Sequence, residues 1–187
     1  LRLTVDDKYS WDFAMLGVGL RYINGVGKPD MLHYVESFGM EGHYDFASNR
    51  GYIWSRTFPL LKRALLLGVG QDNFAYAFPN DDYVGKVNCG FNEQIITKPH
   101  NMYLQIWVQD GLPALLAFLA LYLLLFGRTI RKCFKKGKWN HSQKISLAFL
   151  CGVSGYFVAG LANDSSICVA PVFWILFGVA FAVLRSE

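Results

Sequence analysis

The chain has 187 residues, of which 53% are hydrophobic and 16% aromatic, and its formal net charge is +4. It is more apolar than an ordinary soluble domain, which indicates a protein partly embedded in a membrane. The four cysteines form no CxxC pair and no Cys/His cluster, so a zinc site is not expected.

The first 110 residues hold nearly all the acidic side chains and are predicted to fold as a small domain over the membrane surface. The chain opens on LRLTVDDKYSWDF, which is charged and contains no apolar leader. Because three long apolar runs come only near the end, we expect a C-terminal piece of a longer polytopic protein, with earlier transmembrane helices missing here. Residues 12–23 show a weak helical pattern, and there is little strand alternation.

Residues 53–67 (IWSRTFPLLKRALLL) carry apolar side chains at roughly helical spacing, with Arg56, Lys62 and Arg63 between them. The pattern predicts an amphipathic helix that begins or bends near Pro59 and ends at Gly68.

Between residues 68 and 98 the chain is rich in Gly, Asn, Asp and Pro, which predicts an irregular loop. The GVG of residues 68–70 follows a predicted helix instead of preceding one, and this order favours helix termination over a phosphate-binding loop. Asp81 and Asp82 are adjacent, but in such a loop we expect solvated turn residues rather than a metal site.

Two residues of this outer region have side chains suited to transfer chemistry. Arg50, in SNRGYIW, can grip a phosphate with two hydrogen bonds, and Gly51 beside it would allow close approach. His100 follows Pro99 where a helix over residues 100–109 is predicted to begin, and a neutral imidazole there can accept a proton from a hydroxyl. On position alone, packing or capping explains His100 better, and an Arg-Gly pair is a weak signal.

Three later runs contain no charged residue: 111–127, 145–162 and 167–184. At ~1.5 Å per residue, 17 or 18 residues cover roughly 26 Å, and flanking residues extend this to the ~30 Å hydrocarbon core. We therefore predict three transmembrane helices within residues 111–187.

Residues 128–144 join the first two predicted spans and carry seven basic residues and no acidic one. Short basic loops stay in the cytoplasm, which is a simpler explanation than a nucleic-acid or lipid-headgroup patch. Residues 1–110 and the link at 163–166 then lie outside the cytoplasm. Cys89 and Cys168 are the only cysteines that could share an oxidising compartment, and the sequence does not tell whether they pair.

The two motifs together resemble one family. SNRGYIWSRTFPLLKRALLLGVGQDNF, followed by KPHNMYLQIWVQDGLPALLAFLALYLLL, closely resembles the large extracytoplasmic loop and following helix of the O-antigen ligase and Wzy-type O-antigen polymerase family. LANDSS and APVFWILFGVAFA resemble the closing helices of that family, so the resemblance covers residues 46–184.

The resemblance implies an all-α polytopic protein of the GT-C type in the bacterial cytoplasmic (inner) membrane, with a mostly helical extracytoplasmic loop domain before three transmembrane helices. It implies a glycosyltransferase that moves a glycan from undecaprenyl diphosphate to a hydroxyl of a glycan or lipid-glycan acceptor. In the family a loop arginine engages the donor diphosphate and a loop histidine activates the acceptor, roles that map onto Arg50 and His100. The family also uses a basic residue from an earlier helix, so the present chain alone is expected to be inactive.

Further contacts follow from this mechanism. Three other basic residues would help to stabilise the leaving group: Arg56, Lys62 and Arg63. With these fixed cations no metal and no other cofactor are expected. Tyr52 and Tyr103 would pack against sugar faces, although core packing explains them at least as well.

Two other classes of function stay open: a non-enzymatic transporter or flippase for the same glycans, and a membrane module whose outer domain only binds sugar. A transporter should place ionisable residues within its spans, and the three predicted spans contain none, which favours the enzyme. Polymerase and ligase share the donor chemistry and differ in the acceptor, so the sequence does not separate them.

Overall fold

The structure, a computed structural model, describes residues 1–5, 9–17, 19–24, 26–91, 94–134 and 139–185. The described chain divides into two compact units, Leu1–Lys62 with Asp72–Thr97 and Arg63–Gln71 with Lys98–Glu187. In chain order the strands and helices are β1 (Arg2–Val5), β2 (Tyr9–Leu16), β3 (Gly19–Ile23), β4 (Pro29–Asp30), α1 (Phe46–Leu61), α2 (Phe74–Ala77), α3 (Tyr83–Asn88), α4 (Met102–Asp110), α5 (Leu112–Cys133), α6 (His141–Ala159) and α7 (Ala170–Arg185).

The first unit opens with a four-stranded antiparallel sheet in the order β1-β2-β3-β4. Tyr22 on β3 contacts the ring of Tyr83 on α3, with 4.6 Å between the ring centroids. The Tyr83 hydroxyl donates to Oδ2 of Asp30 at 2.6 Å. Burial and this carboxylate raise the pKa of Tyr83 to about 12, so its proton stays in place and attaches the sheet to α3.

The sheet corrects the helix predicted over residues 12–23. It also reduces the predicted all-α fold class to a mostly helical one, since the described residues form seven helices beside the sheet. β2 and β3 occupy this segment and pair antiparallel with Leu16 opposite Gly19. Gly19 has φ +108°, a conformation that favours glycine, so the chain reverses here instead of continuing as a helix. Met15 and Leu20 are apolar but exposed on the strands. The alternation of apolar and polar residues that indicates a strand is therefore absent from this sequence.

Helix α1 begins earlier than the predicted residues 53–67. Residues 47–49 have φ between +50° and +66°, the left-handed region, so the right-handed part of the helix starts at Arg50. Left-handed backbone at non-glycine residues costs of order 1–3 kcal/mol each, so surrounding contacts must hold this turn. One such contact is the side-chain amide of Asn49, which donates to the backbone oxygen of Cys89 at 2.9 Å.

The other end of α1 also differs from the prediction, because the helix ends at Leu61, with Lys62 as C-cap, and not at Gly68. Gly68 serves a different purpose within the second unit. A Cβ at this position would lie 2.1 Å from the carbonyl carbon of Gln109, so only glycine permits the close approach of this segment to the end of α4.

Proline is tolerated at position 59 inside α1 because the hydrogen bond it cannot make is replaced. Proline has no N–H to donate to the carbonyl four residues earlier, which belongs to Ser55. The backbone N–H of Phe38 donates to that oxygen at 2.8 Å. Pro59 therefore neither begins α1 nor ends it, and the segment around Phe38 is tied to the helix.

The region predicted as an irregular loop contains two short helices, α2 and α3. Asp82 caps α3, since its Oδ1 accepts a hydrogen bond from the backbone N–H of Gly85 at 3.0 Å. Asp82 is 7% exposed, which corrects the expectation that both adjacent aspartates are solvated; Asp81 is exposed.

The second unit contains helices α4 to α7, which overlap the predicted membrane-proximal helix and the three predicted spans. Among the described residues, α5 is the one helix long and apolar enough to cross a membrane; α7 is apolar but has 16 residues. A three-span layout stays a prediction. The first predicted span ends at 127, whereas α5 continues to Cys133; Lys135, Lys136 and Lys138 lie outside the described residues.

Aromatic rings fill the core of the second unit. Phe118 on α5 stacks on Phe157 of α6, with centroids 4.7 Å apart, and Tyr156 stacks on Phe173 of α7 at 4.0 Å. The buried members of this cluster are Met102, Phe118, Leu125, Leu150, Val153, Phe157, Phe173, Phe177 and Ala180.

The four cysteines carry free thiols. Cys133 is buried, while Cys151 and Cys168 are exposed. Burial raises the pKa of the Cys89 thiol and keeps it protonated at neutral pH.

Replacing Gly68 with Ala is expected to destabilise the protein by about 1–3 kcal/mol, because the added methyl group overlaps the backbone at Gln109. Thermal unfolding of the purified protein in detergent measures this. Gly178→Ala is the matched control: a Cβ there meets no atom within 4 Å, and alanine favours a helix. Equal melting temperatures for the two variants would contradict the close approach.

Candidate functional site

Arg50 lies in the first right-handed turn of α1 and is half-buried. Side chains three or four residues apart share a helix face, which places Trp54, Phe58 and Leu61 in line with Arg50. All four are half-buried, whereas Tyr52 and other residues of the remaining surface of the helix are buried. Arg50 therefore stands at one end of a partly exposed, largely aromatic stripe.

Gly51 clears space for the chain itself rather than for a ligand. A Cβ at this position would lie 2.3 Å from the backbone oxygen of His43 and 3.2 Å from the Cα of Tyr44. The backbone N–H of Tyr52 donates to the Tyr44 oxygen at 3.1 Å, which holds the two segments together. The expected role of Gly51 in close approach of a ligand is thus corrected.

A buried ion pair lies on the other side of α1. Nε of Arg56 donates to Oδ2 of Asp82 at 3.0 Å, and the Tyr52 hydroxyl donates to the same oxygen at 3.0 Å. Arg56 is 8% exposed and Tyr52 is fully buried. Gly85 permits this arrangement, since a Cβ there would lie 2.2 Å from Asp82 Oδ2.

Aromatic rings complete the surroundings of the Arg56 guanidinium, whose carbon lies 4.8 Å from the ring centroid of Tyr44 and 4.4 Å from that of Tyr52. Burial opposes the positive charge, but contacts with Tyr44 and Asp82 outweigh it, so the pKa of Arg56 is raised. Burial and the neighbouring Asp82 also raise the pKa of Tyr52, which stays a neutral donor.

The predicted substrate contacts therefore have different surroundings. Tyr52 and Arg56 meet at Asp82 in the interior of the first unit and face other protein groups. Lys62 and Arg63 are exposed at the C-terminal end of α1 and just beyond it.

His100 lies in the second unit and pairs with an acidic residue of the link between α6 and α7. Its Nδ1 is 2.9 Å from Oδ2 of Asp164. The side chain of His100 is 46% exposed and that of Asp164 is 11% exposed. The other carboxylate oxygen, Oδ1, is buried and has no hydrogen-bond partner among the described residues. A carboxylate at Nδ1 favours the tautomer whose Nε2 is free to accept a proton.

Local sequence explains why His100 meets this carboxylate. Asn101 caps α4 by accepting hydrogen bonds from the backbone of Tyr103 and Leu104, both at 3.0 Å, and its amide donates to the oxygen of Leu161 at 2.8 Å. His100 itself has φ +51°, which turns the chain immediately before the cap. The cap thus belongs to Asn101, and His100 is left available for Asp164.

Further contacts hold the start of α4 on the end of α6. The backbone N–H of Met102 donates to the oxygen of Gly160 at 2.8 Å, and a Cβ on Gly160 would lie 2.6 Å from the Met102 methyl group. The hydroxyl of Tyr103, a predicted sugar contact, donates to the backbone oxygen of Phe157 at 2.6 Å. Tyr103 is half-buried and fastens α4 to α6.

A cavity of about 420 Å³ lies beside the buried carboxylate. Its polar lining comes from Lys98, Asn163, Asp164 and Ser166, and Tyr156 is among its other walls. A hydroxyl-bearing molecule in this cavity would meet a cation, an amide and a hydroxyl in a small volume. Such convergence of polar groups is typical of ligand sites.

Asp164 and Asp82 are the two side chains that sequence reasoning missed. Asp164 lies in LANDSS, a stretch selected only for its resemblance to closing helices, and its approach to His100 depends on tertiary packing. Asp82 was predicted to be a solvated turn residue, whereas it is buried and its partners are Arg56 and Tyr52. Among the described residues no group of three or more His, Cys, Asp or Glu side chains could hold a metal ion.

Comparison with known proteins gave one positive result. A family model described as O-antigen ligase matches residues 12–119, which is more than half of the chain and includes both Arg50 and His100. Neither the curated proteins nor the solved structures contain a match.

Replacing Asp82 with Ala is expected to destabilise the protein by about 3–5 kcal/mol, because it leaves the guanidinium of Arg56 buried without a counter-charge. Chemical unfolding in detergent measures the loss. Asp81→Ala removes the adjacent, exposed carboxylate and should change stability by about 0.5 kcal/mol or less. Equal effects of the two substitutions would show that the buried pair does not hold the first unit together.

Proposed function

Because this chain belongs to the O-antigen ligase family, we propose that it transfers a glycan from undecaprenyl diphosphate to an acceptor hydroxyl, with His100 as general base and Arg50 as the cation on the leaving group. The family supports glycosyl transfer at a membrane in polysaccharide biosynthesis. The donor, the acceptor and the residue roles are the parts that we propose.

The observation that carries this proposal is the pairing of His100 with Asp164 beside a polar cavity. A free Nε2 can take the proton of an acceptor hydroxyl, and the carboxylate stabilises the imidazolium that results. General-base catalysis of this kind typically contributes about 10² to 10⁴ in rate.

The transfer step balances without an added reactant. The acceptor oxygen forms a bond to the anomeric carbon while the bond from that carbon to the diphosphate oxygen breaks. The hydroxyl proton goes to His100, and undecaprenyl diphosphate leaves with the bonding electron pair. Direct displacement inverts the anomeric configuration.

Charge develops on the diphosphate as it leaves, and a fixed cation stabilises it most when placed for that state. Arg50 is suited to this role, since a guanidinium binds phosphate oxygens in a bidentate manner and keeps its charge. Arg56 is held by Asp82 in the interior, so in this proposal it supports the helix that carries Arg50. Lys62 and Arg63 are exposed, and we propose that they assist in stabilising the leaving group. We propose Lys98 as a further substrate contact because it lines the cavity with Asp164.

The proposed setting is the outer face of the bacterial cytoplasmic membrane. The apolar helix α5 supports a membrane location, and the basic residues at 128–144 support an extracytoplasmic position for the first 110 residues. No nucleotide sugar is present there, so a donor that carries its own diphosphate leaving group fits this side.

Arg50→Ala and His100→Ala in the full-length protein are each expected to abolish glycan transfer, because one removes the charge on the leaving group and the other the proton acceptor. Transfer is measured on membranes with a lipid-linked glycan donor, with membrane expression checked by immunoblot. Arg128→Ala and His141→Ala, which alter exposed residues elsewhere in the chain, should retain activity. Unaltered glycan transfer in both Arg50→Ala and His100→Ala would contradict the proposal.

Asp164→Asn should lower kcat by roughly 10²-fold and leave KM nearly unchanged, because the amide no longer stabilises a charged imidazolium. Steady-state kinetics of the two variants Asp164→Asn and Asp164→Glu separates this role from packing. Partial recovery in Asp164→Glu supports an electrostatic role. An equal loss in both, with lowered thermal stability, would make Asp164 structural.

A further inference from the structure

The first unit contains an open cleft of about 450 Å³ beside the last turn of α1. Its aromatic walls are Tyr34 and Phe38, from the segment before α1, and Phe58 on the helix. The polar groups in the lining include Glu36 and Lys62. Neither the buried ion pair nor the His100–Asp164 pair contributes a residue to its lining.

The cleft is built into the fold. The backbone N–H of Phe38 donates to the Ser55 oxygen that Pro59 leaves free, which fixes one wall on the helix. Phe38 meets Phe58 edge to face, with 6.4 Å between the ring centroids. Pro59 itself forms part of the lining, so the same residue both frees the anchoring carbonyl and shapes the cleft.

The aromatic rings are unusually open to solvent. Tyr34 is 88% exposed and Phe38 is 70% exposed. Burying such a ring would be favourable by about 1.5–3 kcal/mol, so two of them on one cleft form a surface ready to bind. The side chains of Glu36 and Lys62 form no hydrogen bond or ion pair with another described residue, so a carboxylate and an ammonium group are available as well.

Rings together with free polar groups match one class of ligand. A pyranose has faces made of C–H groups and an edge of hydroxyls that both donate and accept hydrogen bonds. Aromatic rings cover the faces, a carboxylate accepts from neighbouring hydroxyls, and an ammonium donates to them. A purely apolar partner would leave Glu36 and Lys62 desolvated and unpaired, which is costly.

We propose that this cleft is a carbohydrate subsite that binds pyranose residues of the substrate glycan; the assignment rests on the proposed function for its choice of substrate. Phe58 shares the partly exposed face of α1 with Arg50, eight residues and about 12 Å along the helix. A glycan attached to a diphosphate at Arg50 would run along this face past Trp54 and reach the cleft.

The binding test uses the full-length protein in detergent and the lipid-free repeat-unit oligosaccharide released from the surface polysaccharide of the source strain. Saturation-transfer NMR and calorimetry measure its affinity. Tyr34→Ala and Phe38→Ala should each weaken binding about tenfold, the effect of ~1.4 kcal/mol. Tyr34→Phe, which keeps the ring, should bind nearly as the unaltered protein does.

The matched control is Tyr76→Ala, which removes a tyrosine of the same unit that is 89% exposed and lies outside the cleft; its affinity should not change. Unaltered affinity in both cleft variants overturns the proposal. If Tyr34→Ala also lowers the melting temperature in lipid nanodiscs but not in detergent, the rings contact lipid instead, which overturns it too.

Kinetics then identifies which substrate supplies the sugar. In Tyr34→Ala, a raised KM for the lipid-linked donor assigns the cleft to the transferred glycan, and a raised KM for the acceptor assigns it to the acceptor. This arm needs transfer activity, but the binding test does not. Activity that survives in Arg50→Ala and His100→Ala would refute the proposed function. The binding test would still decide whether the cleft binds carbohydrate.

Discussion

Inside the first unit, the guanidinium of Arg56 and the carboxylate of Asp82 form an ion pair that is almost fully buried. Such a pair is stable only when its hydrogen-bonding groups are nearly all satisfied. Asp82 receives donors from Arg56, Tyr52 and the backbone of Gly85, so it joins α1 to the start of α3. Because Tyr52 and Arg56 both face the interior, the helical spacing of α1 places Arg50 on the partly exposed stripe.

In the second unit, the imidazole of His100 is held beside the carboxylate of Asp164, sixty-four positions further along the chain. Three consecutive residues, Pro99, His100 and Asn101, produce this arrangement. Pro99 is fully buried and fixes the approach, His100 adopts a left-handed turn, and Asn101 closes the helix and grips Leu161. Because Asn101 caps the helix, His100 does not have to, and its ring is able to pair with Asp164.

Sequence reasoning identified those features that are encoded locally. The helix predicted over residues 100–109 corresponds to α4, and long uncharged runs predicted helices where α5, α6 and α7 lie. The sheet was missed because exposed apolar residues such as Met15 and Leu20 hide the alternation. Arg50 and His100 were selected through a resemblance between motifs, whereas Asp164 and the partners of Arg56 depend on contacts between distant segments. Those contacts leave no periodic signal, so only coordinates reveal them.

The distribution of thiols provides a built-in reporter of membrane sidedness. Cys133 is buried, burial raises the pKa of the Cys89 thiol, and Cys151 lies within the second predicted span. Cys168 is exposed and lies two residues before α7, near the end of the third predicted span that adjoins the 163–166 link. A membrane-impermeant maleimide should therefore modify one native position, and the side from which it reacts tells which compartment the link faces without any engineered cysteine.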